Sequence, residues 1–257
     1  MDLRTYDIIA QVERTHWWYR GRRAVLGAVV SAALGRGARA GGLAFDFGCG
    51  TGANLPVVAR CGAAVGMDLS DLALRYARER GGYLALARGD GTALPFPDGT
   101  FDWAFALDIL EHLDEDGRAA AELLRVLRPG GRLLITVPAF PALWGTQDDV
   151  SHHRRRYTRR ALLALVRGAG FEVERVTFIN SALFLPIWLV RRAVRLLGLR
   201  VESENTLHPG WANPLLERLF AAEAHVVPRV SLPFGVSLLC VARRPAAAAA
   251  AAPSLAA

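Results

Sequence analysis

The sequence predicts an α/β fold with a seven-stranded, mostly parallel sheet and helices on both of its faces. The first observation is an alternation: seven short apolar runs lie between residues 42 and 242, with helical stretches between most of them. Such alternation favours parallel strands joined by helices. The second is a glycine-rich segment directly after the first run, where α/β sheets place ligands. The composition agrees, because 52% of the 257 residues are hydrophobic and 21% are charged, which excludes a disordered or collagen-like chain.

The predicted elements follow one another in the order that such a sheet requires. The predicted strands are Leu43–Phe47, Ala63–Met67, Tyr83–Ala87, Phe101–Leu107, Arg132–Val137, Phe171–Phe178 and Ser237–Ala242. Helices are predicted at Leu72–Arg80, Arg118–Leu127 and Thr158–Gly168, the last with Thr158 as its N-cap. About 58 residues separate the last two strands. This is too long for an ordinary loop and predicts a segment with helices of its own.

These patterns divide the chain into five predicted segments. They are an N-terminal helical lid at 1–40, a ligand-binding α/β core at 41–178, a helical insertion at 179–232, a final core strand at 233–244 and an alanine-rich tail at 245–257. We expect the tail to be disordered, because its composition offers no side chains with which to build a core.

The predicted lid combines two helices with an aromatic cluster. Tyr6, Ile9 and Val12 recur at helical spacing, and the aromatic run 16–19 and a basic turn at 20–23 precede a second apolar helix. Within that run, Trp17 and Trp18 are predicted to close over the site and contact the substrate. The alternative is that these rings anchor the N-terminal helix to the core.

Charge and cysteine content narrow the class of protein. The formal net charge is +7, and all 31 basic residues are arginine. The three cysteines are widely spaced and form no CxxC pair, so neither a disulfide framework nor a zinc site is predicted. No apolar run reaches 18 residues and no signal-peptide pattern is found, so we expect a cytoplasmic protein. The arginines flank apolar helices without a recognition motif, so no nucleic-acid partner is expected.

The strongest motif is a glycine loop at 45–52, with the sequence FDFGCGTG. Alternate glycines at Gly48, Gly50 and Gly52 let the backbone turn tightly and approach a ligand without a Cβ in the way. The spacing differs from the GxGxxG pattern that cradles a pyrophosphate, and the preceding Asp46 would repel one. A carboxylate at this position suits a ligand that carries an ammonium group.

Acidic residues follow the next two predicted strands. Asp68 ends the second strand, where a carboxylate can accept hydrogen bonds from both hydroxyls of a ribose. Asp90 and Gly91 end the third strand, where they can accept from an adenine amine and donate to a ring nitrogen. Taken in order, the three strand ends describe an amino acid joined to a ribose joined to an adenine. The ligand with this composition is S-adenosylmethionine.

On these motifs the chain resembles the class I S-adenosylmethionine-dependent methyltransferases, and within them the small-molecule type 11 group. The resemblance covers roughly residues 40–178 and rests on FDFGCGTG, GMDLS, RGDGTALPFPDGTFDWAFALDILEHL and RVLRPGGRLLITVP. It implies a Rossmann-like fold with an antiparallel last strand and S-adenosyl-L-methionine as the cofactor.

The resemblance also implies which residues bind that cofactor. In the family, the glycine loop holds the methionine part, the second strand end holds the ribose, the third holds the adenine, and a histidine after the fourth strand lies near the methyl donor. The positions that match are Asp46, Gly48, Cys49, Gly50, Gly52, Asn54, Asp68, Leu69, Asp90, Gly91, Leu107, Asp108 and His112.

Three further segments resemble a bacterial subgroup that is often placed with lipid or glycan genes. They are HWWYRGRR near the start, SHHRRRYTRRAL in the middle and LPFGVSLL near the end. This resemblance adds Trp144 and Asp148 to the predicted substrate site but identifies no substrate.

The predicted acceptor site uses the segment 148–157, after the fifth strand. His153 is the favoured general base, with His152 as the other candidate, and Asp148 could orient an imidazole. Arg155, Arg156 and Tyr157 are predicted to orient the acceptor, Tyr157 within the catalytic group. The alternative is a solvated, charged loop that leads into the next helix.

A second polar cluster is formed by Asp108, Glu111 and His112. These residues could line the pocket or bind a metal. Because no third convergent ligand can be named from the sequence, we expect no metal.

The insertion contains an apolar helix at 182–200 with Arg191, Arg192 and Arg195 on one side. This pattern fits a helix in a membrane interface or the wall of a pocket for an amphipathic anionic substrate. A packed helix with an exposed charged face is the alternative.

We therefore expect an enzyme that moves a methyl group by in-line displacement to an oxygen or carbon atom of a small or lipid-like acceptor. The arginines are compatible with an anionic acceptor and with peripheral contact to the inner face of a membrane through 182–200. A monomer and a homodimer are both compatible with the sequence. Two other functions stay open: a non-catalytic S-adenosylmethionine-binding partner subunit, and a peripheral membrane-binding protein.

Overall fold

The computed structural model describes residues 3–197 and 210–246. The end of the predicted helix at 182–200 and most of the predicted tail at 245–257 therefore lie outside the described residues. Within the described part, no helix combines the length and the apolar character that crossing a bilayer requires.

The seven strands form one mixed sheet, as predicted. They are β1 (Gly42–Phe47), β2 (Gly62–Asp68), β3 (Ala85–Arg88), β4 (Phe101–Leu107), β5 (Leu127–Pro138), β6 (Glu172–Ile179) and β7 (Ser237–Arg243). Their spatial order is β3-β2-β1-β4-β5-β7-β6. The last strand, β7, runs antiparallel to both of its neighbours, while the other pairs are parallel. The predicted mostly parallel sheet and its antiparallel last strand are confirmed.

The helices lie on both faces of the sheet. They are α1 (Leu3–Val12), α2 (Trp17–Gly35), α3 (Leu55–Val58), α4 (Asp71–Arg80), α5 (Asp116–Val126), α6 (Thr146–Val150), α7 (Arg159–Gly168), α8 (Phe184–Leu196) and α9 (Asn213–Ala222). Thr158 caps α7 as predicted, because its side chain accepts a hydrogen bond from the N–H of Ala161. The single turns Leu110–His112 and Pro141–Leu143 follow β4 and β5.

Alternate residues of the strands build two hydrophobic cores. On one face, Phe45 and Phe101 pack with side chains from α5 and α7, such as Leu123 and Leu162. On the other face, Trp103 packs with side chains from α2, α3 and α9. Both faces of the central strands are therefore buried, which explains why these strands read as continuous apolar runs.

Two predicted boundaries were wrong for physical reasons. The predicted basic turn at 20–23 lies inside α2, where Gly21 permits close packing: a Cβ there would lie 2.7 Å from the ring of Phe220 in α9. The third strand begins at Ala85 rather than Tyr83, whose hydroxyl is bonded to Asp46. The helix after the glycine loop, α3, is a single turn that contains a proline.

Candidate active site

A cavity of about 960 Å³ opens at the carboxyl ends of β1, β2 and β4. The glycine loop, the N-terminal helices, the segment after β5 and one face of α8 all contribute to its wall. Parallel strands place their carboxyl ends at the same edge of a sheet, which is why ligands of such folds bind there. The cavity therefore gathers segments that are far apart in the sequence.

The glycine loop has the backbone conformation that its sequence predicted. Gly48, Gly50 and Gly52 have φ angles of 69°, 54° and 81°, a region that favours glycine. Asp68 fixes the loop from the next strand: its Oδ2 accepts from the N–H of Gly50 and its Oδ1 from the N–H of Ser70, both at 2.9 Å. Each oxygen keeps a second lone pair for a ligand hydroxyl.

Asp46 is not among the residues that line the cavity, and its predicted contact with the ligand stays a prediction. Its carboxylate is buried behind the loop, where the hydroxyl of Tyr83 donates to Oδ2 at 2.6 Å and Oδ1 has no partner. Burial raises the pKa of Asp46 to about 6. Gly52 is also not among the residues that line the cavity, and a Cβ at this position would lie 3.2 Å from the ring of Tyr83.

The third strand end presents Asp90 and Gly91 to the cavity. Asp90 is exposed, and its Oδ1 accepts from the N–H and the hydroxyl of Thr92. Gly91 allows no side chain, because a Cβ would lie 2.4 Å from the ring of Phe47. The other predicted cofactor-binding residues that line the cavity are Gly48, Cys49, Gly50, Asn54, Asp68, Leu69, Leu107, Asp108 and His112.

The helix α1 lies beside the glycine loop and lines the cavity, and its role as a lid stays a prediction. Glu13 is buried, accepts from the hydroxyl of Thr51 at 2.5 Å and forms an ion pair with Arg80. Tyr6 lines the cavity beside Asp68, and burial raises the pKa of its hydroxyl to about 12. Glu13 was not predicted as a site residue, because the sequence shows it only as a charged residue on an otherwise apolar helical face.

The aromatic cluster lines the cavity and also packs against the core, while its closing over a substrate stays a prediction. Trp17 and Trp18 line the cavity. Trp17 also packs its ring edge-on against Phe220 of α9, and the guanidinium of Arg22 lies 5.0 Å from the ring centre of Trp18. Trp144 lines the cavity as well and donates to a carboxylate oxygen of Asp149 at 2.8 Å.

The residues after β4 and β5 meet at the end of the cavity that the sequence predicts for the acceptor, called the acceptor end below. The N–H of Arg154 donates to the carbonyl of Glu111 at 2.7 Å, which joins the two segments. The rings of His112 and His153 consequently lie edge to face with their centroids 4.6 Å apart. Burial and the neighbouring His153 lower the pKa of His112 to about 3, so this ring is neutral at physiological pH.

His153 is held by Asp148, a contact that the sequence suggested. Its Nδ1 lies 2.8 Å from Asp148 Oδ1, while Nε2 faces Glu111, whose Oε1 is 4.0 Å away. His152 also lines the cavity but is exposed and has a φ angle of 54°. The geometry therefore favours His153 over His152 as the reactive imidazole, and its catalytic role stays a prediction.

Tyr157 and Arg155 are not among the residues that line the cavity, and their catalytic and substrate-binding roles stay predictions. Tyr157 is 3% exposed, and its hydroxyl donates to Asp116 at 2.7 Å. Arg155 donates to the same carboxylate at 3.1 Å and to the carbonyl of Asp114. Both side chains hold the segment 148–157, called the histidine segment below, against the turn after β4. They do so from outside the cavity.

Asp148 and Arg156 form a buried ion pair in the wall of the cavity. Arg156 donates to both carboxylate oxygens at 2.9 Å and also to the carbonyls of Ala139 and Val236. Burial alone would raise the pKa of Asp148, but the hydrogen bond from His153 and the charge of Arg156 lower it to about 2. Arg156 therefore supports Asp148. Because most of its N–H donors are used in these bonds, few remain for the predicted contact with the acceptor.

We expect Asp148→Asn to lower the free energy of unfolding by about 3–5 kcal/mol, because it leaves Arg156 as a buried charge without a counterion. Chemical denaturation measures this. Asp149→Asn is the matched control: Asp149 is exposed, and the change should cost about 1 kcal/mol or less. Equal and small effects of the two changes would contradict the role given to Asp148.

One face of α8 forms the outer wall of the acceptor end. Ile187, Val190, Arg191, Val194 and Arg195 line the cavity, whereas Arg192 does not. The wall-of-a-pocket interpretation of this helix is thus the one that its orientation favours. Arg191 donates to the carbonyl of Leu143 and lies 3.8 Å from Asp148.

Arg22 is a second residue of the cavity wall that was not predicted as a site residue. Its guanidinium is buried at the centre of the cavity wall, 2.9 Å from the carboxylate of Asp108 and 3.3 Å from the hydroxyl of Thr136. Asp108, which has a φ angle of 55°, therefore forms its ion pair with a residue of the N-terminal helix α2. The cluster of arginines at 20–23 indicated a basic site in the sequence. Only the helix α2 shows which of these arginines points toward the cavity.

The cavity fits S-adenosylmethionine. The loop of alternate glycines would hold the methionine part, Asp68 the ribose hydroxyls, and Asp90 with the backbone of Gly91 the adenine. Two features support the fit: the position of Gly91 admits no side chain, and the buried Asp46 carboxylate has an unpartnered oxygen behind the loop. That oxygen gives the loop end of the cavity the negative charge that an ammonium group requires.

Comparisons with known proteins agree with this geometry. A family model described as a methyltransferase domain matches residues 45–135. A protein of Mycolicibacterium smegmatis named as an S-adenosylmethionine-dependent methyltransferase is 28% identical over 162 residues, which is 62% of this chain and 61% of that protein. A protein of Encephalitozoon cuniculi named as a methyltransferase is 31% identical over 153 residues, 51% of this chain and 70% of that protein.

A solved structure, that of the [4+2]-cyclase SpnF, has the same fold. It matches 84% of this chain and 80% of its own, with 27% sequence identity and a TM-score of 0.53. The chain spans 55% and 61% of the length of the first two curated relatives that it matches. S-adenosylmethionine is the cofactor that the motifs, the cavity and the relatives indicate together. The chain belongs to the class I S-adenosylmethionine-dependent methyltransferases of the type 11 group.

Proposed function

We propose that the protein transfers a methyl group from S-adenosylmethionine to an oxygen or carbon atom of a small or lipid-like acceptor. The observation that carries the proposal is one continuous cavity with two differently built ends. The glycine loop, Asp68 and Asp90 form one end, and the histidine segment with α8 forms the other. A volume of about 960 Å³ lies at the upper end of the usual ligand-site range of ~300–1,000 Å³, which leaves space for an acceptor beside the cofactor.

The acceptor end is suited to an amphipathic molecule with an anionic group. Ile187, Val190 and Val194 provide an apolar wall, and Trp17 and Trp18 face it from the lid. Arg195 lines the same wall at the exposed side, and no carboxylate of a described residue pairs with it. An apolar body would lie along α8, with its charged group near this arginine.

The chain contributes binding, orientation and exclusion of water. Bound S-adenosylmethionine supplies a methyl group that its positive sulfur makes electrophilic. The lid helix α1, held by Glu13 on the glycine loop, covers the cofactor end and limits the access of water. The walls then align the acceptor atom for in-line attack.

His153 is the residue of this chain that can take a proton from an acceptor hydroxyl. Asp148 accepts the proton of Nδ1, which fixes the tautomer and leaves Nε2 free to accept. Asp148 also stabilises the imidazolium that forms after the transfer. When a carbon atom is the nucleophile, the same nitrogen accepts the proton that the methylated carbon releases.

The direct test supplies methyl-labelled S-adenosylmethionine with a panel of acceptors: phenols, hydroxy fatty acids and uncharged esters of those acids. Labelled product above the acceptor-free blank supports the proposal. A folded protein that binds S-adenosylhomocysteine but methylates no member of the panel, and none of a bacterial lipid extract, would favour the non-catalytic partner subunit.

Charge reversal at α8 tests the acceptor class. Arg195→Glu should raise KM for carboxylated acceptors about tenfold, the equivalent of 1.4 kcal/mol, with kcat within twofold and ester acceptors unaffected. Arg192→Glu is the matched control, because Arg192 lies on the same helix outside the cavity, near the ring of Trp188. Equal effects of the two changes on every acceptor would contradict a specific contact at Arg195.

A further inference from the structure

Three side chains at the acceptor end converge without bonding to one another. Glu111, His112 and His153 each offer one ligand atom, and these atoms lie within 4.8 Å of each other. The sequence suggested no metal, because no third convergent ligand could be named beside the cluster of Asp108, Glu111 and His112. The fold supplies the third residue, since the backbone bond from Arg154 to Glu111 draws the histidine segment onto the turn after β4.

Glu111 is the observation that calls for a cation. Its side chain is completely buried, and neither carboxylate oxygen accepts a hydrogen bond from another residue that the structure describes. Nε2 of His153 is 4.0 Å from Glu111 Oε1, beyond hydrogen-bond distance. A buried carboxylate without a partner is costly. An ion between the three side chains would satisfy both oxygens and both imidazoles together.

The two imidazoles are oriented in the way that metal-bound histidines usually are. A metal-bound histidine commonly donates its other ring N–H to a carboxylate or a backbone carbonyl. His153 uses Nδ1 on Asp148 at 2.8 Å, and His112 bonds to the backbone of Ser151. Each ring therefore keeps one nitrogen for the shared space with Glu111, and the outer contacts that would hold the rings are already formed.

We propose that Glu111, His112 and His153 bind a divalent transition-metal ion at the acceptor end of the cavity. Two imidazoles and one carboxylate suit Zn²⁺, Mn²⁺, Fe²⁺ or Co²⁺ better than the oxygen-seeking Mg²⁺ or Ca²⁺. Ligand atoms around a tetrahedral zinc ion are about 3.3 Å apart, from bonds of ~2.0–2.1 Å. The side chains would have to close by roughly 1 Å from the separations seen without an ion.

Three protein ligands leave at least one coordination position, which would open into the cavity. This part of the proposal rests on the proposed function: an acceptor hydroxyl that binds there would lose its proton at a lower pH, because the ion stabilises the oxygen anion. Nε2 of His153 is then a ligand, and the ion takes over the activation that the imidazole provides in the metal-free protein.

The experiment titrates chelator-treated protein with Zn²⁺, Mn²⁺ and Co²⁺ by calorimetry and records the visible spectrum with Co²⁺. We expect one ion per chain with a micromolar or tighter Kd for at least one metal. Glu111→Gln, His112→Ala and His153→Ala should each weaken binding about 100-fold or more. His225→Ala should leave it within threefold, because His225 is exposed and lies beyond the cluster.

Near-ultraviolet circular dichroism and S-adenosylhomocysteine binding test whether each variant is folded. If His112→Ala is not folded, the milder change His112→Asn replaces it. Folded wild type that binds S-adenosylhomocysteine but none of the three metals below 1 mM would overturn the site. Equal metal affinity in wild type and all variants would overturn it too. Metal binding without cofactor binding would instead contradict the proposed function and leave the site intact.

Discussion

Asp68→Ala is expected to weaken S-adenosylmethionine binding by about 100-fold or more, because each hydrogen bond to a charged group contributes about 1.5–3 kcal/mol. The carboxylate would lose both ribose hydroxyls and also its two bonds to the backbone, including the one that fixes Gly50 in the glycine loop. Equilibrium dialysis with labelled cofactor measures the change.

Asp71→Ala is the matched control for Asp68. Asp71 begins the helix after the same strand, its side chain is 75% exposed, and its one ion pair is with Arg88. Its removal should leave cofactor affinity within threefold. If Asp68→Ala binds the cofactor as well as wild type does, the ribose lies elsewhere and the assignment of the second strand end is wrong.

His153→Ala is expected to lower kcat for methyl transfer by about 10²–10⁴-fold, the usual contribution of a positioned acid–base group. Cofactor affinity should stay within threefold, because the ring faces Glu111 and the acceptor end instead of the glycine loop. Steady-state kinetics with the identified acceptor, and dialysis with the cofactor, separate the two effects.

His225→Ala is the control for this change, because His225 is exposed on the single turn after α9. It should reproduce wild-type kcat. Turnover of the true acceptor that is undiminished in His153→Ala would show that His153 activates nothing. A rise in KM alone would show that the ring binds the acceptor without taking part in the proton transfer.

The cofactor end could be predicted from the sequence because its requirements are local. Gly48, Gly50 and Gly52 are needed for backbone angles, and Asp68 and Asp90 follow strands whose carboxyl ends must meet. Each requirement leaves a mark within a few residues. The sheet was predictable for a similar reason, since strands that are buried on both faces are short and continuously apolar.

The acceptor end could not be predicted in the same way, because its contacts join distant segments. Tyr157 looks like a catalytic residue beside two histidines, yet its hydroxyl is bonded to Asp116, 41 positions earlier. Glu111 looks like a turn residue, but the fold leaves its carboxylate buried and unpartnered against His153. Asp46 was placed against the ligand because nothing in the sequence showed that Tyr83 would cover it.

The central claim is that this cavity binds S-adenosylmethionine, and a calorimetric titration of the wild-type protein tests it most directly. S-adenosylmethionine and S-adenosylhomocysteine should each bind at one site per chain, with a Kd in the range of ~1 μM to 1 mM that is usual for enzyme substrates. They should compete with each other for that site. A folded protein that binds neither at millimolar concentration would contradict the account.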